Sequence, residues 1–360
     1  MLAIIEQIAS QLTTVYPQDE AVSMAWWIVE EETGLSRAQI ITGCKDTTFS
    51  PHMQEIVDRL LHFEPIQYIF GHTLWNGLDL KVTPATLIPR PETAELVERI
   101  INQLSEFSNQ PSAIRNHKHK SEFRVLDVGT GSGCIAIALK KAHPEWQVTG
   151  IDISPEAIEV AKENARRNNV DVNFHVADIF SDSFHRTPYT VHHTPNSQQL
   201  TANSQQPPFP FLISLSFERL IHLSSFNLLV SNPPYIRESE KSTMRPNVLN
   251  YEPSTALFVP DSDPLRFYRR IAELFSPTPY TLHPTPYTVH PTPYTVHPTP
   301  YTLHPTPYTV HPTPKYLFFE INESFSQELS AMLTALGYTD VTVTRDIYGK
   351  PRIIECRSSA

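Results

Sequence analysis

The chain has 360 residues, room for one large domain or two ordinary ones, and a 40% hydrophobic content sufficient for a sizeable core. Lys plus Arg number 28 against 38 Asp plus Glu, a formal net charge of −10. That balance argues against tight binding to long nucleic acid, whose affinity comes largely from cations neutralising phosphates. Residues 1–72 read as a helical domain, with apolar residues at three- and four-residue spacing in Ile4, Ile8, Leu12 and in Met24, Trp27, Ile28. Breaks fall at Pro17, Thr33-Gly34 and Pro51, and Trp26 and Trp27 are expected to pack in an aromatic core. Residues 73–92 read as a connecting hairpin and linker, with Leu78 to Val82 alternating.

From residue 93 onward an α/β domain is predicted, built from short apolar strands alternating with helices. Arg124–Val128, Gln147–Asp152, Val172–Ala177 and Phe226–Val230 read as buried strands, and Pro155–Asn168 as a helix with Ser154 as its N-cap. Lys315–Ile321 is a further strand, followed by a helix to Leu336. Val341–Thr344 and Arg352–Cys356 form a closing hairpin across Tyr348-Gly349-Lys350. A mostly parallel sheet with a terminal antiparallel hairpin is the expected architecture. Low-complexity insertions are expected at about 185–223 and at 277–314. The second is a seven-residue repeat with tyrosines at 280, 287, 294, 301 and 308. Each unit holds two prolines, which neither a helix nor a central strand tolerates, so polyproline II or a solvated coil is expected. The repeat histidines are read as part of that tract rather than as metal ligands.

Cys44, Cys134 and Cys356 lie far apart without paired metal-ligand spacing, so no metal site is expected. No segment approaches the roughly 20 apolar residues of a membrane span, and the expectation is a cytoplasmic protein.

Chemistry concentrates after the strand ends. The run Asp127-Val128-Gly129-Thr130-Gly131-Ser132-Gly133 holds three of the chain's ten glycines within five positions, between a strand and an apolar helix. Such glycines permit a tight turn and close approach of a ligand to the backbone. Asp152 ends the next strand, where a carboxylate can accept both hydroxyls of a ribose, and Asp178 follows the strand after that, where it can accept from an adenine amino group. Together these point to an adenosine-bearing cofactor, with a dinucleotide as the competing ligand. Asn232-Pro233-Pro234-Tyr235 decides between them. The Asn232 carboxamide oxygen and the Pro233 carbonyl can accept both hydrogens of an incoming –NH₂, aiming its lone pair at a sulfonium methyl group. Tyr235 is expected to stack on the planar target.

This combination resembles the amino-methyltransferases, which include DNA adenine-N6 and protein glutamine-N5 enzymes. Three further matches favour the protein branch: Glu64-Pro-Ile-Gln-Tyr-Ile-Phe-Gly71, Leu87-Ile-Pro-Arg-Pro-Glu-Thr93 and Val125 to Cys134. With Asn232 to Ile236 they resemble the peptide chain release factor glutamine methyltransferase family (the PrmC/HemK type) over roughly 1–180, 226–276 and 315–357. The resemblance implies a class I, Rossmann-like seven-stranded methyltransferase sheet and an N-terminal helical domain that binds the release factor. It implies S-adenosyl-L-methionine as cofactor and the glutamine of the Gly-Gly-Gln loop as methyl acceptor. Gly129, Thr130, Gly131, Ser132, Gly133, Asp152, Asp178 and Ile179 would line the cofactor site, with Asn232 shared between cofactor and substrate. Asn232, Pro233 and Tyr235 would be the catalytic group, with Pro234 completing the substrate slot. Arg90 and Glu92 fall near the domain junction, in either a site or a salt-bridge role. A monomer with no direct DNA or membrane partner is expected. A DNA adenine-N6 methyltransferase and a ribosomal-protein glutamine methyltransferase are the alternatives.

Overall fold

The structure is a computed structural model, and it describes residues 1–43, 48–108, 123–181, 226–275 and 315–358. Both expected insertions and Cys44 lie outside the described residues. Among the described residues no helix is long and apolar enough to cross a membrane.

Five short helices open the chain: α1 (Leu2–Leu12), α2 (Gln18–Thr33), α3 (Arg37–Ile41), α4 (Pro51–Leu61) and α5 (Ile66–Phe70). Local signals set their ends. Ser50 accepts from the Met53 amide and Pro51 takes the first helical position of α4. Gly34 closes α2 in the left-handed conformation at φ 66°. Ile4, Ile8, Leu12, Ile28, Ile56 and Leu60 form a core private to these helices. Trp26 and Trp27 only border it. Trp27 is partly buried, meets Phe70 and His72, and donates to Glu31 Oε1 at 3.0 Å. An indole buries its ring readily but needs a partner for its N–H, which places it at the rim.

The hairpin β1 (His72–Trp75) and β2 (Leu78–Lys81) turns at Asn76-Gly77, both at positive φ, as a two-residue primed turn requires. Residues 82–90 then run without regular structure into α6 (Pro91–Ser108), so within 73–92 the hairpin occupies the first part and an irregular connection the rest. Buried Asn164 secures it: the side chain accepts from Lys81 N at 2.6 Å and donates to the carbonyls of Lys81 and Ser132.

The rest follows as β3 (Arg124–Val128), α7 (Cys134–Ala142), β4 (Gln147–Asp152), α8 (Pro155–Arg167), β5 (Asn173–Val176), β6 (Leu228–Ser231), β7 (Ile236–Arg237), α9 (Pro246–Tyr251), β8 (Phe258–Val259), α10 (Arg266–Phe275), β9 (Lys315–Glu320), α11 (Ser326–Ala335), β10 (Tyr338–Arg345) and β11 (Pro351–Ser358). Among the described residues one sheet holds seven strands in the order β10-β11-β9-β6-β3-β4-β5. It is parallel from β9 to β5, and β11 pairs antiparallel with both β9 and β10. This is the expected α/β architecture, with a longer terminal hairpin than 341–344 and 352–356.

Alternation along the strands sorts the core onto two faces. Val125, Val148 and Phe318 pack with α6, α7 and α8, while Leu126, Ile151 and Phe319 pack with α10 and α11. The chain leaves β3 towards β4 and β5, then crosses back to β6 on the other side of β3. That reversal is a topological switch point, where an open α/β sheet leaves a crevice beyond the carboxyl ends of its strands.

Candidate active site

The last residues of β3 and β6 are neighbours. Val128 pairs with Ser231, and the Ser231 hydroxyl donates to the Val128 carbonyl at 2.6 Å. One residue further on, Gly129 and Asn232 leave the sheet at the same edge. The amides of Gly129 and Thr130 both donate to Ile151 O at 2.9 Å, which curls the glycine loop over β4. Gly129 and Gly131 take φ 70° and 53°, and a Cβ placed on either would meet nothing within 4 Å. The loop therefore presents bare backbone to open space.

That space is a cavity of about 480 Å³, in the range of small-molecule sites. Gly129, Thr130, Gly131, Ser132, Asp152, Asp178, Ile179, Asn232, Pro233 and Pro234 all contribute to its wall. Asp152 accepts from the amides of Gly131 at 2.9 Å and Ser154 at 3.0 Å, and burial raises its pKa against those bonds. Asp178 accepts from Phe180 N at 2.9 Å. Two carboxylates at successive strand ends, an open backbone loop and apolar walls suit an adenosine-bearing molecule better than a metal or a phosphate chain.

Two expected site residues stand elsewhere. Gly133 caps α7 at φ 80°, and a Cβ there would lie 3.0 Å from the Phe174 ring; its role is close packing behind the loop. Tyr235 is absent from the cavity wall. Its ring packs against the core between the sheet and α10, and its hydroxyl donates to Glu320 Oε1 at 3.2 Å. A partly buried phenol takes such an acceptor, and the ring is turned inward rather than into the cavity where stacking on a planar target was expected. Burial and the neighbouring Glu320 carboxylate push its pKa up.

The structure also brings in residues that sequence reasoning passed over. Thr93, at the start of α6, lines the cavity beside Asn232, whose Nδ2 donates to Thr93 Oγ1 at 3.2 Å. Thr93 Oγ1 in turn donates to Glu320 Oε2 at 2.6 Å. Arg90 forms an ion pair with buried Glu252 at 2.6 Å, and Glu252 also accepts from Ile88 N at 3.2 Å. This favours the salt-bridge reading of Arg90, although Arg90 also borders the cavity. Beyond Asp178 the wall is aromatic and cationic: Phe180 and Phe267 meet edge to face, with Arg266 over Phe180 at 4.7 Å. In the sequence Thr93 stood out only as the last residue of the Leu87–Thr93 motif, and Glu320 as an acid closing a largely apolar strand.

Comparison with known proteins agrees with this geometry. Residues 3–71 match the model of the PrmC N-terminal domain, and residues 119–196 match that of a methyltransferase domain. A protein named release factor glutamine methyltransferase from Bacteroides thetaiotaomicron is 34% identical over 351 residues, 96% of this chain and 96% of that protein. One of the same name from Flavobacterium psychrophilum is 31% identical over 97% of this chain and 96% of its own length. A third, from Streptococcus pneumoniae, is 35% identical over 61% of this chain and 60% of its own length. With near full-length identity, an N-terminal helical unit and a methyltransferase sheet in one polypeptide, the chain belongs to the release factor glutamine methyltransferase family.

Proposed function

We propose that the chain transfers a methyl group from S-adenosyl-L-methionine to the side-chain amide nitrogen of the glutamine in the Gly-Gly-Gln loop of a peptide chain release factor. The observation that carries this reading is the shared cavity of Asn232 and the glycine loop, set by the paired ends of β3 and β6.

The cofactor, when bound, supplies an electrophilic methyl group on a sulfonium centre. The protein's part is binding and orientation. The backbone of Gly129 to Ser132 leaves room for a ligand to lie against it, Asp152 would accept from the ribose hydroxyls, and Asp178 with Ile179 would meet the base. On the other side, Asn232 Oδ1 and the Pro233 carbonyl are suited to accept the two hydrogens of the glutamine –NH₂. A nitrogen held this way faces the methyl carbon with its lone pair, and rigid prolines keep the carbonyl from relaxing away. No general base is required, because the amide nitrogen loses a proton to water once the N–C bond has formed.

Residues 1–72 are assigned the recognition of the release factor, residues 73–92 the link, and residues 93–360 the transfer. Among the described residues, polar contacts join the helical unit to the segment following β6. Arg245 pairs with Glu20 at 2.8 Å, and the Tyr251 hydroxyl donates to His62 O at 2.9 Å. A protein substrate bound to the helices would thus lie beside the slot.

Replacing Asn232 by Ala should lower turnover by on the order of 10²–10³, as for loss of one preorganised polar contact. Near-normal turnover would remove Asn232 from the mechanism. Supplying labelled cofactor with release factor, ribosomal protein or DNA separates the family reading from its two alternatives. Label is expected in the release factor.

A further inference from the structure

We propose that Glu320 and Thr93 are positioning residues that set the polarity of the Asn232 carboxamide, turning its oxygen to the substrate. The inference rests on the reading of Asn232 as the amide holder.

Proton accounting fixes which end of the carboxamide faces the cavity. A carboxamide has two nearly isosteric ends, and only the oxygen end can accept from an incoming –NH₂. Which end faces the cavity depends on what holds the other. Asn232 is held by Thr93 Oγ1, and a hydroxyl has a single hydrogen. That hydrogen points to Glu320 Oε2 at 2.6 Å, a short charge-assisted contact. Thr93 therefore has only lone pairs to offer Asn232 and must receive from Nδ2. The opposite rotamer would set Oδ1 against those lone pairs and present –NH₂ to the substrate –NH₂, donor against donor.

Glu320 is well fixed for this purpose. It is 1% exposed at the end of β9, and its second oxygen accepts from the Tyr235 hydroxyl at 3.2 Å. Its backbone carbonyl accepts from Tyr268 at 3.0 Å. Arg352 on β11 favours the ionised form, and Glu92 on α6 opposes it. Burial raises the carboxyl's pKa, while Thr93, Tyr235 and Arg352 counter it. A buried carboxylate of this kind has no packing advantage over an apolar side chain, and what it offers here is orientation of the groups that donate to it. The same network gives Tyr235 its place: inside the wall, supporting Glu320.

Three single variants test this: Thr93→Val, Thr93→Ser and Glu320→Gln. Each is assayed for methyl transfer to a release factor and for cofactor affinity by calorimetry. Thr93→Val removes the hydroxyl at nearly constant volume. Glu320→Gln adds a donor that lets Thr93 turn its hydrogen on Asn232 Oδ1. Both should lower kcat by on the order of 10–100-fold, as loss of outer contacts that orient a reacting group does, with cofactor Kd within about twofold. Thr93→Ser keeps the relay and should retain at least about half of wild-type kcat. Thr93→Val at wild-type kcat, or Thr93→Ser as impaired as Thr93→Val, would overturn the proposal. If Glu320→Gln fails to fold, the Thr93 pair decides alone. A wild-type protein unable to methylate the release factor would instead overturn the reading of the function, and the proposal with it.

Discussion

The Asn232 carboxamide is tied down at one end, where Nδ2 donates to Thr93 Oγ1, and several acidic side chains nearby are governed by burial. Asp127 is the clearest case. It is fully buried near the end of β3 and accepts from Thr130 Oγ1 at 2.6 Å, and that bond and the Ala136 amide only partly offset the cost of burying its charge. Burial lifts its carboxyl to about 7, above the ordinary 3.8. The folded state thus holds the proton more tightly than the unfolded chain does. Its favourable share is present below about pH 4 and is lost as pH rises through about 7. Urea denaturation should show Asp127→Asn gaining stability relative to wild type between about pH 5 and about pH 8. Parallel pH dependences of the two proteins would contradict this. At this scale the glycine loop, Asp152, Asp178 and Asn232 were legible because each stands at a strand end with few other uses. Thr93 and Glu320 were not, since 227 positions separate them and neither is unusual beside its own neighbours. Nor could the side to which Tyr235 turns be read, because that depends on the acceptor waiting inside.

The register of β3 against β6 puts the two halves of the site together, and the segment following β6 closes it. From Ile236 to Val259 that segment packs back towards the linker, held where Glu252 receives both Arg90 and the Ile88 amide. The Glu252 side chain is 1% exposed and that of Arg90 31%. Arg90→Ala would leave a buried carboxylate with one backbone donor, a change expected to destabilise the protein by about 2–3 kcal/mol. Chemical denaturation measures it, and a loss below about 0.5 kcal/mol would place the pair among ordinary surface bridges. Strand existence was readable from apolar runs, and helix starts from Ser50, Ser154 and the prolines. Lengths were less so. Phe226 and Asn227 precede β6, although Asn227 already bonds to both flanking strands: its amide donates to Arg124 O, its carbonyl accepts from Tyr316 N, and its side chain accepts from Arg124 N, each at 2.8 Å. The terminal hairpin runs longer than its apolar core, through a register shift between Thr339 and Thr342 that places Asp340 at φ 53°.

Among the described residues one core is private to the first five helices, another is spread over both faces of the sheet, and a small cluster of Tyr68, Val82 and Ile88, with Tyr251 against it, lies between elements of both. Strand and helix alternation was enough to anticipate the second, since parallel neighbours need crossover helices. How the helical unit meets the slot was not legible, because it depends on side chains such as Arg245 and Glu20, 225 residues apart and each exposed enough to pass for ordinary surface charge. A net charge of −10 suits a folded protein partner better than a phosphate backbone. The most direct measurement is mass spectrometry of the Gly-Gly-Gln peptide from a release factor incubated with the purified protein and S-adenosyl-L-methionine. One added methyl group on the glutamine side-chain nitrogen, absent with Asn232→Ala, is the predicted result. An unmodified glutamine from active, cofactor-binding protein, or a methyl group on another residue, would contradict it.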